Sequence, residues 1–298
     1  MKARILGIQP GTVTEGMTGD AYFKKQLELA ENAFDGEDLI MFPELMTGKY
    51  FGYVREQRWF DCAEDFMTGR TTREMLKLCK KLNTCICYSL FEKAEDGYYN
   101  TMGLVSPIRG IIGKYRKIHL PGGDLRYNEC YEKYYFKSGN TMPVFELDNG
   151  IKVAMMLCYD RSFPELWRSY FLHGAQIICV AACTMGLRKD MFVAELQTRA
   201  LESHSYVIAL NRAGEEKTEN EAKPRIHFGK SMIIDPLGNI VTSLEDEQWA
   251  SVKAEIDTEK IDYARARLNW ERDRHPELYG IVSDTNYARE GLIFERGF

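Results

Sequence analysis

Short apolar runs alternate with amphipathic stretches along most of the chain. Residues 3–9, ARILGIQ, read as a strand. Over 20–34, Tyr22, Phe23, Leu27, Ala30 and Phe34 recur near helical spacing. After the turn pair Asp35-Gly36, 38–44 (DLIMFPE) is a second strand, and 71–82 is again helical. Three strand patterns follow at 84–92, 100–107 and 111–117, close enough to pair antiparallel. Residues 118–142 form a long polar and aromatic loop, and a loop of that length suggests function. Asn149-Gly150 is a hairpin turn leading into the strand 151–158. A helix near 163–173, a strand 175–182, a helix near 190–204 and a strand 206–211 come next. The segment 230–244 reads as a hairpin about Pro236-Leu237-Gly238-Asn239, before a strand at 249–256 and a helix at 258–268. From 269 the periodicity fades into a tail. Crossovers and hairpins together predict mixed sheets layered with helices in one α/β domain over 1–268.

Composition narrows the function classes. The formal charge of -5 comes with no basic block, which argues against nucleic acid or an anionic membrane as a main partner. No apolar stretch approaches the roughly 20 residues that cross a bilayer. The opening MKARILGIQP is too short in its apolar part for a signal peptide, so a cytoplasmic location is expected. Most of the eight cysteines sit inside apolar patterns, as in 84-TCICYSLF-91, and read as reduced, buried thiols. Cys85 and Cys87 lack a second pair and the five histidines are scattered, so neither metal nor cofactor is expected.

Cys158 stands apart. It ends the apolar run 153-VAMMLC-158 and is followed by charge and proline, YDRSFPE. Ser162 and Glu165 have capping-box spacing, and Pro164 suits a first helical turn, so a helix is expected to start at or near Ser162. A helix amino terminus favours thiolate over thiol. Position alone leaves packing and reaction both open. Two other strands end in charge: Glu44 follows MFP, and Lys117 precedes IHLP.

The segments MFPEL, GKYRKIHLP and LCYDRSFPE, with 99-YNT-101, 211-NRAG-214 and 229-GKSMIIDPLGNIV-241, resemble the nitrilase-superfamily carbon–nitrogen hydrolases in order and spacing. The resemblance implies a four-layer α-β-β-α sandwich. It also implies a catalytic set in which Glu44 is the base, Lys117 faces the oxyanion and Cys158 is the nucleophile. The backbone N–H of Tyr159 would be a second oxyanion donor. A further glutamate is placed at Glu132 by the match EKYYF, with Glu129 as the competing choice, and His119 is a support for the loop after Lys117.

Within the superfamily, CYDRSFPE, 174-GAQIIC-179, LEDE and 274-RHPELYGIV-282 look most like the N-carbamoyl-D-amino-acid amidohydrolases. The implied activity is release of ammonia and carbon dioxide from an N-carbamoyl amino acid. Omega-amidase, aliphatic amidase, nitrilase and N-carbamoylputrescine amidase are the alternatives. Arg161 would bind a substrate carboxylate, although Ser162 stands where those enzymes carry a second arginine. A salt bridge shaping the turn is the other reading of Arg161. Thr184 and Tyr50 would line the pocket, with Phe51 as an apolar wall. Relatives of this kind form dimers or higher oligomers, and the tail 269–298 would lie either across a neighbouring subunit or on its own.

Overall fold

The computed structural model describes residues 1–122, 130–186, 189–217 and 224–285. Two six-stranded sheets lie face to face. In the first, the order is β14-β1-β2-β3-β4-β5, with β1 Lys2–Gln9, β2 Leu39–Met41, β3 Cys85–Ala94, β4 Gly97–Ser106, β5 Gly110–Arg116 and β14 Ala250–Asp257. In the second it is β13-β12-β9-β8-β7-β6, with β6 Val144–Glu146, β7 Lys152–Leu157, β8 Ile177–Ala181, β9 Tyr206–Leu210, β12 Met232–Ile234 and β13 Ile240–Ser243. A short hairpin, β10 Ala213–Glu216 with β11 Arg225–Phe228, stands apart. Parallel pairs (β1–β2–β3, β7–β8–β9) and antiparallel pairs (β3–β4–β5, β6–β7) make both sheets mixed, as expected.

The near-continuous apolar runs have a physical cause. Side chains alternate between faces of a strand, and both faces here are covered. Val153, Met155 and Leu157 of β7, and Ile177, Cys179 and Ala181 of β8, pack into the core between the sheets. Their neighbours Ala154, Met156, Ile178 and Val180 face the helices α4 (Pro164–Leu172) and α5 (Lys189–Ser203). On the other side, Leu6, Ile40 and Ile86 pack against α1 (Gly19–Ala33) and α2 (Arg70–Leu82). The layering is therefore helix, sheet, sheet, helix, and the four-layer sandwich is borne out. All eight cysteines are free thiols.

Local signals account for several boundaries. Thr18 caps α1 by accepting from the Ala21 N–H at 3.2 Å. Asn83 adopts a left-handed conformation that ends α2. The Asn149-Gly150 turn joins β6 to β7, and Asp235 orders the turn into β13 by accepting from the Leu237 and Asn239 N–H groups.

One expectation fails. Ser162 does not cap α4. Residues Cys158–Ser162 form a single tight 3-10 turn, and Phe163 precedes a helix that opens on Pro164. The proline suits that position because its missing N–H has no intrahelical partner to lose. In the tail, the Trp270 ring stacks on His204 at the end of α5, and Tyr279 and Val282 line a cavity together with residues of α4.

Ile208 is fully buried in the core between the sheets. Ile208→Ala is expected to cost about 2–5 kcal/mol of stability. Urea unfolding followed by circular dichroism should show a lower midpoint with an unchanged slope.

Candidate active site

The two sheets contribute different groups to one cluster. Glu44 lies just beyond β2, where the chain leaves the sheet through Pro43. Lys117 directly follows β5. Both are fully buried. Lys117 Nζ donates to Glu44 Oε1 at 2.9 Å and sits 2.9 and 2.7 Å from the two carboxylate oxygens of Glu132. Glu132 opens the short helix α3 (Glu132–Tyr135). Tyr135 and Phe136 anchor that helix in an aromatic cluster with Phe51 and Phe91. The tyrosines and phenylalanine of EKYYF thus place the glutamate. Glu129 lies outside the described residues.

The remaining hydrogen bonds fix the carboxylates. Asn100 Nδ2 donates to Glu44 Oε1 at 2.7 Å, and the Tyr50 hydroxyl donates to Glu132 Oε1 at 2.5 Å. Glu44 Oε2 is buried and accepts no hydrogen bond. An acceptor left open in a closed site is a position for an incoming proton donor. Glu44 is held through its backbone as well. The fully buried Arg212 donates Nη2 to the Glu44 and Leu45 carbonyls at 3.2 Å and Nη1 to the Gly48 carbonyl at 3.0 Å. Glu216 balances that guanidinium at 3.1 Å.

Cys158 follows β7 of the second sheet in a left-handed conformation, φ +42°. Such a conformation costs a non-glycine residue roughly 1–2 kcal/mol and needs support from its surroundings. The support is visible on both sides. Asp160 accepts from the preceding Leu157 N–H at 3.0 Å, and Arg161 Nη1 donates to the Cys158 carbonyl at 2.8 Å. The same Asp160 carboxylate accepts from the Tyr115 hydroxyl at 2.7 Å and the His119 N–H at 2.9 Å, with His119 Nδ1 at 2.8 Å. Asp160 therefore ties the turn carrying the thiol to the segment carrying Lys117. His119 is a loop support, as expected, and its ring also stacks on Phe163 at 3.6 Å.

Burial pushes the Cys158 thiol up to about 12, and Glu44 adds to that shift while Lys117 and Arg161 oppose it. Whatever a nearby helix terminus lends to the thiolate, burial is the largest influence on this sulfur and acts against it. Burial also raises the Glu132 carboxyl to about 7, against the pull of Lys117. For Lys117, burial favours the neutral amine, but Glu132 and Glu44 outweigh it and hold the ammonium well above the ordinary lysine range. Glu44, Lys117, Glu132 and Asp160 are closed off, whereas Cys158 and Tyr159 keep partial access to solvent.

The other expected residues are placed as follows. Tyr159 follows Cys158 in the tight turn, with its ring edge-on to Phe163. Arg161 is 4 % exposed, with Nε 3.0 Å from Glu195 on α5 and Nη1 3.7 Å from the Cys158 sulfur. Its ion-pair partner is thus neither Asp160 nor Glu165. Thr184, just after β8, is pinned through its backbone N–H and carbonyl by the Asn211 side chain. Tyr50 gives its hydroxyl to Glu132, and Phe51 stacks on Trp59 inside the aromatic cluster, so Phe51 is core rather than a pocket wall. Asp160, Arg212, Glu195 and Glu216 were not singled out from the sequence. Among the described residues no His, Cys, Asp or Glu cluster could hold a metal ion, and no helix is long and apolar enough to cross a membrane.

The sequence model of the family described as carbon–nitrogen hydrolase matches residues 2–266. An N-carbamoylputrescine amidase of Arabidopsis thaliana is 30 % identical over 257 residues, covering 83 % of this chain and 84 % of the relative. A nitrilase of Pyrococcus abyssi is 32 % identical over 261 residues, covering 87 % and 92 %. The crystal structure of a carbon–nitrogen hydrolase from Helicobacter pylori G27 superposes with a TM-score of 0.87 at 24 % identity, over 96 % of this chain and 99 % of that one. That likeness shows the fold.

Two predictions arise from this geometry. A carboxyl with a raised value in the folded state stabilises the protein below the ordinary carboxylate range, and that contribution is lost as pH rises towards its folded value. Unfolding midpoints of Glu132→Gln, compared with wild type, should therefore shift in favour of the variant between pH 4.5 and 7. Separately, a side chain at Gly139 would meet the Arg116 carbonyl oxygen at 2.1 Å, next to Lys117, whose own carbonyl accepts from the Gly139 N–H. Gly139→Ala should displace the ammonium and lower turnover by about tenfold or more, with circular dichroism unchanged.

Proposed function

Because the chain belongs to the carbon–nitrogen hydrolase family of the nitrilase superfamily, we propose that it hydrolyses the ureido group of a small N-carbamoyl compound through a covalent Cys158 intermediate. The observation that carries this reading is the buried Lys117 between Glu44 and Glu132, with the second oxygen of Glu44 unpartnered and its charge acting on the Cys158 thiol.

Each step uses a group already described. A thiol protonated at neutral pH needs a base, and Glu44 takes its proton as the sulfur attacks the carbonyl carbon. The oxyanion that forms faces the Lys117 ammonium and the Tyr159 N–H. One such donor is worth about 10²–10³ in rate. The C–N bond breaks when Glu44 returns the proton to the departing nitrogen. Water, deprotonated by Glu44, then hydrolyses the thioester-type adduct to free thiol and a carbamic acid, which loses carbon dioxide and releases the second nitrogen as its amine. In sum, a ureide R–NH–CO–NH2 and one water give the amine R–NH2, ammonia and carbon dioxide. Glu132 and Tyr50 hold the ammonium in place throughout. Glu132, protonated in part near neutral pH, limits the negative charge around the forming oxyanion.

The carbamoyl group is favoured by the N-carbamoylputrescine amidase relative. A carboxylate-bearing substrate, such as the N-carbamoyl amino acid, rests on Arg161, and that guanidinium already has Glu195 and the Cys158 carbonyl as partners. The reading is therefore placed on the carbamoyl group, not on what lies beyond it. The nitrile and simple-amide readings share the same nucleophile and base.

Ammonia release from N-carbamoylputrescine, an N-carbamoyl amino acid, a simple amide and a nitrile would separate the substrate classes. With a ureide, quenched intact-mass analysis should detect one carbamoyl group added to the chain. Cys158→Ala should lose both the adduct and about 10³-fold or more of the rate. Undiminished turnover in that variant would exclude the mechanism.

A further inference from the structure

We propose that Arg161 serves the nucleophile rather than the substrate: fixed by Glu195, its guanidinium holds the Cys158 peptide in its left-handed conformation and stabilises the thiolate. The proposal rests on the reading above in taking Cys158 as the nucleophile and Glu44 as its base.

The geometry is specific. Arg161 Nε lies 3.0 Å from Glu195 Oε2, so the charge has a partner on α5. Nη1 donates to the Cys158 carbonyl at 2.8 Å and lies 3.7 Å from the Cys158 sulfur. The guanidinium face covers the Phe192 ring at 5.1 Å, and its carbonyl accepts from Trp167 Nε1 at 2.8 Å. Backbone and side chain of Arg161 are thus both fixed, and only 4 % of the residue is exposed. A planar fork that is already aligned loses little freedom per hydrogen bond formed.

A substrate carboxylate at this guanidinium would bring a second negative charge beside Glu195. It would also have to displace the bond that supports Cys158. A buried cation already matched by one anion has little left to offer another. The sulfur presents the opposite case. When it loses its proton, Glu44 and Glu132 face it as carboxyl groups, Lys117 and Arg161 as cations, and Tyr53 and Cys183 as neutral groups. Arg161 is the cation on the turn of the sulfur itself. A charged hydrogen-bond donor within reach of a forming anion stabilises it more than it stabilises the neutral thiol.

The test uses the full chain with Arg161→Met and Arg161→Lys. Cys158 alkylation by iodoacetamide is followed against pH, with Cys158→Ala identifying the reactive sulfur. Turnover is measured on 4-ureidobutyrate and on N-butylurea, similar in length but with and without a carboxylate. For Arg161→Met, the alkylation profile should move upward by about one pH unit or more. Its kcat should fall about tenfold or more on both ureides alike, and Arg161→Lys should recover part of the profile. An unmoved profile, with KM raised for 4-ureidobutyrate alone, would overturn the proposal and make Arg161 a carboxylate clamp. If wild type hydrolyses neither ureide while the alkylation shift is present, the substrate reading fails and the role of Arg161 stands. Should Arg161→Met not fold, Arg161→Lys decides: a profile moved upward with kcat lowered alike on both ureides supports the proposal, whereas behaviour identical to wild type or a selective KM change for the acid refutes it.

Discussion

A single ammonium group, that of Lys117, organises this molecule. It is taken wholly out of water, and two carboxylates are taken out with it. Removing three ionisable groups from water costs several kcal/mol for each ion unless their geometry is good and their remaining hydrogen bonds are made. Asn100 and Tyr50 supply those bonds, and Arg212 holds the Glu44 backbone. The compensation is incomplete: Glu44 Oε2, Glu132 Oε2 and Asn100 Oδ1 are buried without a hydrogen-bond partner, although Glu132 Oε2 lies 2.7 Å from the Lys117 ammonium. A buried polar network with most of its bonds made is rigid, and its few open acceptors are where a further donor can be taken up. Cys158 carries costs of the same kind, a left-handed backbone and a desolvated thiol, and the contacts of Asp160 and Arg161 support it.

The cluster is also a joint between sheets. Glu44 and Lys117 extend from the first sheet, and Cys158 extends from the second. Neither sheet alone can set the distance between sulfur and ammonium. Asp160 does so directly, because its carboxylate bonds Tyr115 and His119 on one side and Leu157 on the other. The packed core between the sheets, with Ile208, Met155 and Leu104 among its members, keeps the two halves in register behind it.

Much of this was legible in the sequence, for identifiable reasons. Apolar runs that stop abruptly at Glu44, Lys117 and Cys158 mark strand ends, and the candidate site is built at those ends. The helices and most of the strands follow from periodicity because both faces of each sheet are buried in alternation. What was not legible depends on contacts between distant residues. Arg212 meets the Glu44 carbonyl across 168 positions, and Asp160 meets Tyr115 across 45. No local pattern announces either pair. Ser162 misled because capping-box spacing says nothing of a tight turn that ends one residue before the helix. For the thiol, proximity to a helix start was readable, whereas its desolvation depends on the packing of the whole site. Glu132 was found only through its aromatic neighbours, which the structure shows to be its anchors.

The order of the first sheet has a consequence for how the chain is made. Strand β14 lies antiparallel to β1 along its whole length, from Lys2 opposite Asp257 to Gln9 opposite Ala250. The residues of β1 thus wait for partners made far later in the chain before their edge is closed. Contacts of such long sequence separation form late. Val252, Ile256 and Ile261 join the core between the sheets only then. Until that moment one edge of β1 is open and the core behind Cys158 and the Glu44–Lys117 cluster is unfinished.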